Sequence, residues 1–306
     1  MPKLGAHESI SGGIHKAVER GAAVGCECVQ IFTKNTNQWS AKKITDAEVR
    51  AFQEAQEEFG ITTFIAHNSY LINLGSPDEV LWHRSVAAME EEILRADRLG
   101  IPYLVMHPGS YTSATPEEGL ENIIRGVQKV LKNVHGAKTR CLLENTAGQG
   151  TNLGCRWEHL AKIIAGVEGD GWRKDDLSPE NPSWLGICFD TCHAFAAGYD
   201  FTTKEKYDDL MAEIDAAVGV SRICAFHIND ATKICGSRVD RHAAIGDGKI
   251  GAKPFGFFLN DKRFTDHGMY LETPKGTVTL EDGTEEDLDV YNLGKLRGLL
   301  RGSRDR

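Results

Sequence analysis

Six short apolar runs in this chain each end on a side chain that can bind a metal. They are Phe64-Ile65-Ala66-His67, Leu104-Val105-Met106-His107, Leu142-Leu143-Glu144, Ile187-Cys188-Phe189-Asp190, Cys224-Ala225-Phe226-His227 and Tyr270-Leu271-Glu272. Three or four apolar residues bounded by polar ones is the pattern of a fully buried parallel strand. Core packing gives no reason for six strands to stop on imidazole or carboxylate. The recurrence predicts one polar site on which six strand ends converge.

The text between the runs is helical. A strand at 4–7 and a strand at 28–33 precede the six runs, and helices are expected at 13–24, 45–59, 78–99, 116–134, 156–167, 204–218, 252–260 and 288–300. The helix at 45 opens with the capping box Thr45-Asp46-Ala47-Glu48. Eight strands alternating with eight helices favour a parallel sheet, and eight units is the number that closes a (β/α)8 barrel. The expected architecture is therefore α/β: one TIM-barrel domain over residues 1–306, with its metal site at the C-terminal face of the strands. A polar stretch at 168–184 reads as a surface insertion on the opposite face, and 274–306 as a C-terminal helix and tail.

Bulk properties agree with an enzyme-sized core. The 306 residues are 41% hydrophobic and 26% charged, ordinary for a globular protein. No segment approaches the roughly 18 apolar residues of a membrane helix, and the start, Met1-Pro2-Lys3-Leu4, lacks an apolar leader. An intracellular location, cytoplasmic or nuclear, is expected, with no membrane partner. The eight cysteines then read as reduced thiols, with Cys188 and Cys224 as small core residues. A formal net charge of -9 argues against binding polyanions through overall charge.

His67, His107, Glu144, Asp190, His193, His227, Asp240, His242 and Glu272 form a set of imidazoles and carboxylates suited to zinc, manganese or iron. Asp190 and His193 stand three apart where a strand turns into a helix. In Asp240-Arg241-His242, alternate side chains of extended backbone point the same way. Nine ligands exceed what one ion uses, so two or three metals are implied. Adjacent divalent ions suit phosphoryl transfer, in which they stabilise attacking and leaving oxygens.

Longer motifs carry a resemblance. Phe189 to Asp200, Gly236 to His242 with Ile245-Gly246-Asp247-Gly248, Glu144-Asn145-Thr146-Ala147-Gly148-Gln149-Gly150, His67 to Leu74 and His107-Pro108-Gly109-Ser110 resemble the endonuclease IV family of apurinic/apyrimidinic endonucleases. The resemblance runs from about Leu4 to Glu272. It implies a (β/α)8 barrel with three zinc ions, manganese or iron(II) being alternatives at one position. His67, His107 and Glu144 would hold the first ion. Glu144 would bridge to a second held with Asp190, His227 and Glu272, and His193, Asp240 and His242 would hold the third. Glu144 and Glu272 would be catalytic carboxylates. The implied reaction is hydrolysis of the phosphodiester 5′ to an abasic site, giving 3′-hydroxyl and 5′-deoxyribose phosphate ends, with trimming of blocked 3′ ends. The implied partner is double-stranded DNA, met by a monomer.

By the same resemblance, Tyr70 and Leu71 line the gap left by a flipped nucleotide, and Gln38 is the wedge of the loop Asn35-Thr36-Asn37-Gln38-Trp39. Asn37 stands where the family often has arginine. Lys34, Lys42, Lys43, Lys233, Arg238, Arg241, Lys249 and Lys253 are candidate phosphate contacts, Arg238 and Arg241 foremost. His7, ending the first strand, is expected to orient a ligand rather than bind metal. Two other readings compete. A metal-dependent sugar isomerase or epimerase of the xylose isomerase-like barrel class would have no need of His193, Asp240 and His242 as a third cluster, and a lesion-binding barrel without catalysis would not keep nine ligands.

Overall fold

The computed structural model describes residues 1–169 and 184–301. Its centre is a closed parallel barrel of eight strands: β1 Lys3–His7, β2 Cys28–Phe32, β3 Thr63–His67, β4 Tyr103–Met106, β5 Arg140–Glu144, β6 Leu185–Asp190, β7 Ile223–His227 and β8 Gly268–Leu271. Each strand pairs with its neighbours in sequence, and β8 closes onto β1, Leu4 opposite Met269 and Ala6 opposite Leu271. The eight expected strands and the barrel they close are thus present.

Alternation along the strands sorts side chains into two layers. Val29, Phe64, Leu104, Leu143, Phe189, Phe226 and Met269 belong to the large core beneath the helices. Cys28, Ile65, Val105, Leu142, Cys188, Ala225 and Tyr270 form a separate cluster inside the barrel. Two residues further along, the inward face is reached again, at Gln30, His67, His107, Glu144, Asp190, His227 and Glu272. On β1 the same rule leads from Gly5 to His7. The strands' period therefore delivers one ring of polar side chains at the barrel's mouth.

The helices are α1 His15–Ala23, α2 Asp46–Phe59, α3 Glu79–Arg98, α4 Pro116–Asn133, α5 Trp157–Glu168, α6 Thr191–Ala197, α7 Lys204–Ala217, α8 Ala252–Leu259 and α9 Leu288–Gly298. Thr45 caps α2 in a complete capping box and Thr115 does the same for α4, each worth about 1 kcal/mol. Helix α6 is the helix into which the strand was expected to turn at Asp190 to His193. It follows β6 without a loop, because Asp190 both ends the strand and caps the helix, its Oδ1 accepting the His193 N–H at 2.6 Å. The insertion read at 168–184 lies, except for its ends, outside the described residues. The C-terminal part holds α9, preceded by a ribbon of Thr277–Thr279 and Glu285–Asp287.

All eight cysteines are free. Cys188 is fully buried as expected, whereas Cys224 is only partly so; it sits near the barrel's amino-terminal opening beside Tyr103 and Arg140.

Candidate metal centre

Glu144, wholly buried at the end of β5, is the hub. Its Oε2 lies 3.1 Å from Nε2 of both His67 and His107, and its Oε1 lies 2.8 Å from His227 Nδ1 and 3.1 Å from His193 Nδ1. Glu272 Oε2 reaches the same His227 nitrogen at 3.3 Å. Asp240 bridges the remaining pair, Oδ2 at 3.1 Å from His193 Nε2 and Oδ1 at 3.3 Å from His242 Nε2. All nine residues singled out in the sequence meet here.

Their donor atoms fall into overlapping sets, each within 4.8 Å: His67, His107 and Glu144; Glu144, Asp190, His227 and Glu272; Asp190, His193 and His242; and Cys192, Asp240 and His242. Asp190 therefore stands between the second and third sets, as Glu144 stands between the first and second. Cys192 falls within range although the sequence offered no reason to single it out. Burial pushes its thiol well above the usual range, and a neutral thiol is a poor ligand.

The tautomers test whether cations fit. A carbonyl oxygen only accepts, so the nitrogen facing it carries the proton. His67 Nδ1 donates to Asn68 O at 2.8 Å, His193 Nδ1 to Asn145 O at 2.9 Å, His242 Nδ1 to Glu272 O at 3.0 Å and His227 Nε2 to Gln30 Oε1 at 2.7 Å. The other nitrogen of each ring is thereby aimed, lone pair first, at the carboxylates. Two acceptors facing each other need a cation between them. His242 Nε2 is buried and makes no hydrogen bond of acceptable geometry, as a ligand atom awaiting its ion would. The residues present fit divalent metal ions of the imidazole- and carboxylate-binding kind.

The local field agrees. Burial alone would lower the buried imidazoles, yet Asp190, Asp240 and Glu144 hold His193 well above its ordinary value, and Asp240, Asp190 and Glu272 raise His242 to about 9. Burial pushes the Glu144 carboxyl up, but His227, His107 and His193 outweigh it and hold it well below the carboxylate range. The centre draws cations.

The expected role of His7 changes. Burial lowers its ring to about 3, so it is neutral, and it touches Gln30 rather than a ligand. Gln30 is the residue that sequence reasoning missed. Wholly buried, it accepts from His227, donates to Glu272 Oε1 at 2.6 Å and lies 3.0 Å from His7 Nδ1. Its signal was there: Gln30 stands two residues after inward-facing Cys28, as His67 stands after Ile65. Asn145 and Asn229 were missed too. Asn145 Nδ2 donates to Asp190 O at 2.9 Å and Asn229 Nδ2 to Asp190 Oδ2 at 2.8 Å.

The loop carrying Asp240 and His242 is gripped from below. Asp230, buried, accepts backbone N–H groups of Ala231, Gly246, Gly248, Ile250 and Gly251 at 2.7–3.2 Å. A Cβ on Gly248 would lie 2.3 Å from Asp230 Oδ1, so this close wrap requires glycine.

A cavity of about 390 Å³ opens above the centre, lined by His67, Tyr70, His107, His193, His242 and Glu272 among others. Tyr70 is 64% exposed at its rim, its ring 5.6 Å from that of His67. Leu71 is half-buried beside it, and Gln38 and Asn37 are exposed on the 34–44 loop. Arg238 and Arg241 are exposed on the loop above α6. Arg238 takes the left-handed conformation at φ 54°, its N–H held by Ala196 O at 2.8 Å. Lys42, Lys43, Lys233, Lys249 and Lys253 are exposed as well. Lys34 is not. It is 4% exposed and lies 3.3 Å from buried Glu92, so its expected role as a phosphate contact is withdrawn.

A family model described as a xylose isomerase-like TIM barrel matches residues 18–293. The chain is 46% identical over 303 residues to the protein named probable endonuclease 4 of Chloroflexus aurantiacus, covering 99% of this chain and 100% of that one. It belongs to the endonuclease IV family. Among solved structures, endonuclease IV of Thermus thermophilus matches with a TM-score of 0.79 and 36% identity over 97% of this chain and 98% of that one. A D-tagatose 3-epimerase-like protein matches at TM-score 0.69 but 19% identity, over 99% and 98% of the two chains; this likeness shows the barrel alone. The isomerase reading is accordingly the weaker one. Membership of the endonuclease IV family makes the chain a nuclease. Among the described residues no helix is long and apolar enough to cross a membrane.

Proposed function

We propose that the chain is a zinc-dependent repair endonuclease. It hydrolyses the phosphodiester 5′ to an abasic site in double-stranded DNA, leaving a 3′-hydroxyl and a 5′-deoxyribose phosphate, and it also trims blocked 3′ ends. The observation that carries this reading is the hub: one buried carboxylate, Glu144, within 3.1 Å of four imidazoles, with Asp190, Asp240, His242 and Glu272 adding donor atoms around it. His67, His107 and Glu144 would hold one divalent ion, Glu144, Asp190, His227 and Glu272 the second, and His193, Asp240 and His242 the third. Bound there, such ions supply Lewis acidity to a phosphoryl group and lower the pKa of water.

The protein's own residues do the rest. Glu144 and Glu272 keep negative charge at the centre and His227 between them. Tyr70 and Leu71 present an apolar rim to the space a flipped nucleotide would leave, Gln38 stands as the wedge, and Arg238 and Arg241 offer cations to the backbone. One chain supplies every ligand, which supports a monomer as the unit of function, and its place is wherever the cell's DNA is.

A duplex bearing a single abasic analogue tests the reading. Incision 5′ to the lesion is expected, lost on chelation, restored by zinc and abolished by Glu144→Ala. Full activity in metal-stripped protein, or none in zinc-loaded protein, overturns it.

A further inference from the structure

We infer that Glu92, on α3 and not among the candidate metal ligands, is a positioning residue that locks the two substrate-facing loops to each other. The inference rests on the reading of those loops as DNA contacts. Glu92 is 1% exposed. Its Oε1 accepts the Ser69 N–H at 3.1 Å and lies 3.3 Å from Lys34 Nζ, while its Oε2 accepts from Thr33 Oγ1 at 3.1 Å. Lys34 in turn donates to Gln38 O at 2.7 Å and to Trp39 O at 3.4 Å. One buried ion pair thus reaches the backbone on both sides: at Gln38, the wedge, and at Ser69, next to Tyr70.

The seam between the loops is direct as well. Ser69 Oγ donates to Thr36 O at 2.6 Å and accepts the Leu71 N–H at 3.2 Å. The same side of α3 holds the rest of the 33–42 segment. Arg84 lies 4.3 Å over the Trp39 ring, Glu91 Oε1 accepts the Ala41 N–H at 2.8 Å, and Arg95 donates to Lys42 O and Thr33 O at 2.6 and 2.5 Å. Helix α3 therefore acts as a rail, and Glu92 is the group on it that holds both loops.

A buried ion pair is a poor device for stability, since desolvation offsets most of its attraction. It is a good device for register, because each partner has directed bonds that no other arrangement satisfies. Loops held in the bound arrangement before DNA arrives need not be ordered on binding. Loss of the pair is then felt in affinity rather than in the chemical step, because neither partner touches Glu144 or the other candidate ligands.

The test uses zinc-loaded protein carrying Lys34→Gln with Glu92→Gln, which removes both charges together and strands neither. Lys34→Met with Glu92→Gln, which also removes both charges, is the second variant if the first pair does not fold. KM for incision of abasic duplex and Kd for the uncut duplex are expected to rise about tenfold, with kcat within twofold of the parent and zinc content unchanged. A KM within twofold of the parent, whatever the melting temperature, overturns the inference and leaves Glu92 a packing residue. Parent protein that fails to cut abasic DNA refutes the functional reading instead, so the two failures are distinguishable.

Discussion

At the scale of single residues, the centre is organised by groups that set the direction of lone pairs. Glu144 needs neighbours, because a buried carboxylate without them costs several kcal/mol. Four imidazoles surround it, and where a bare ring nitrogen faces the carboxylate a cation must lie between the two. Gln30 fixes the bare nitrogen of His227 and also donates to Glu272. Replacing it with methionine keeps the volume but leaves the His227 N–H without an acceptor. Gln30→Met should cost about 1–3 kcal/mol of stability, the usual penalty of a stranded buried donor. It should also weaken zinc binding about 10- to 100-fold. Thermal unfolding and a competitive zinc titration read the two effects; zinc affinity equal to the parent's would show that Gln30 orients nothing.

At the scale of elements, strands and loops divide the labour. Strand ends place six of the candidate ligands by period alone, and these were legible from runs such as Phe64-Ile65-Ala66-His67. The third set depends on a loop. Asp240 and His242 are brought to His193 by the pairing of Ala231 with His242 and by Asp230, which gathers five backbone N–H groups beside them. Nothing in the spacing of Ile228-Asn229-Asp230 from Gly246-Asp247-Gly248 announces that contact. Asp230→Ala should strand several of those N–H groups and cost about 3 kcal/mol. It should also lower the metal content of the purified protein by one ion per chain while the others remain, read by elemental analysis. Retention of the full complement would show that the 240–251 loop holds its shape without the carboxylate. The helices other than α6 were legible to within a residue or two, that of α2 through its cap Thr45. Helix α6 was legible only as the turn from strand into helix at Asp190-Thr191-Cys192-His193; its length and its cap by Asp190 were not.

At the scale of the whole molecule, the barrel concentrates negative charge at one end. A chain of net charge -9 places four carboxylates within one polar ring, and the imidazoles are pulled toward holding protons when no metal is there. Metals that bind only the folded ring stabilise it by mass action, by about 2.7 kcal/mol per site at 100 times Kd. Chelation should therefore lower the melting temperature by about 5 °C or more, checked by calorimetry with and without chelator. An unchanged melting temperature would mean that the ring does not depend on ions. Lys34 shows the same charge economy from the other side: a loop lysine expected to face phosphate is turned inward to Glu92.

The amino-acid sequence by itself determined the barrel, the polar ring and the six strand-end side chains that meet in it, because strand alternation is local. A residue two places beyond an inward-facing one must also face inward, whatever the rest of the chain does. Only the tertiary structure decided how the ring is shared out and steadied. Gln30 meets His227 across 197 positions of sequence, Glu144 meets His227 across 83, and Glu92 meets Thr33 across 59. Such contacts follow from closure of the barrel and the packing of α3 against its loops, and no local period encodes them.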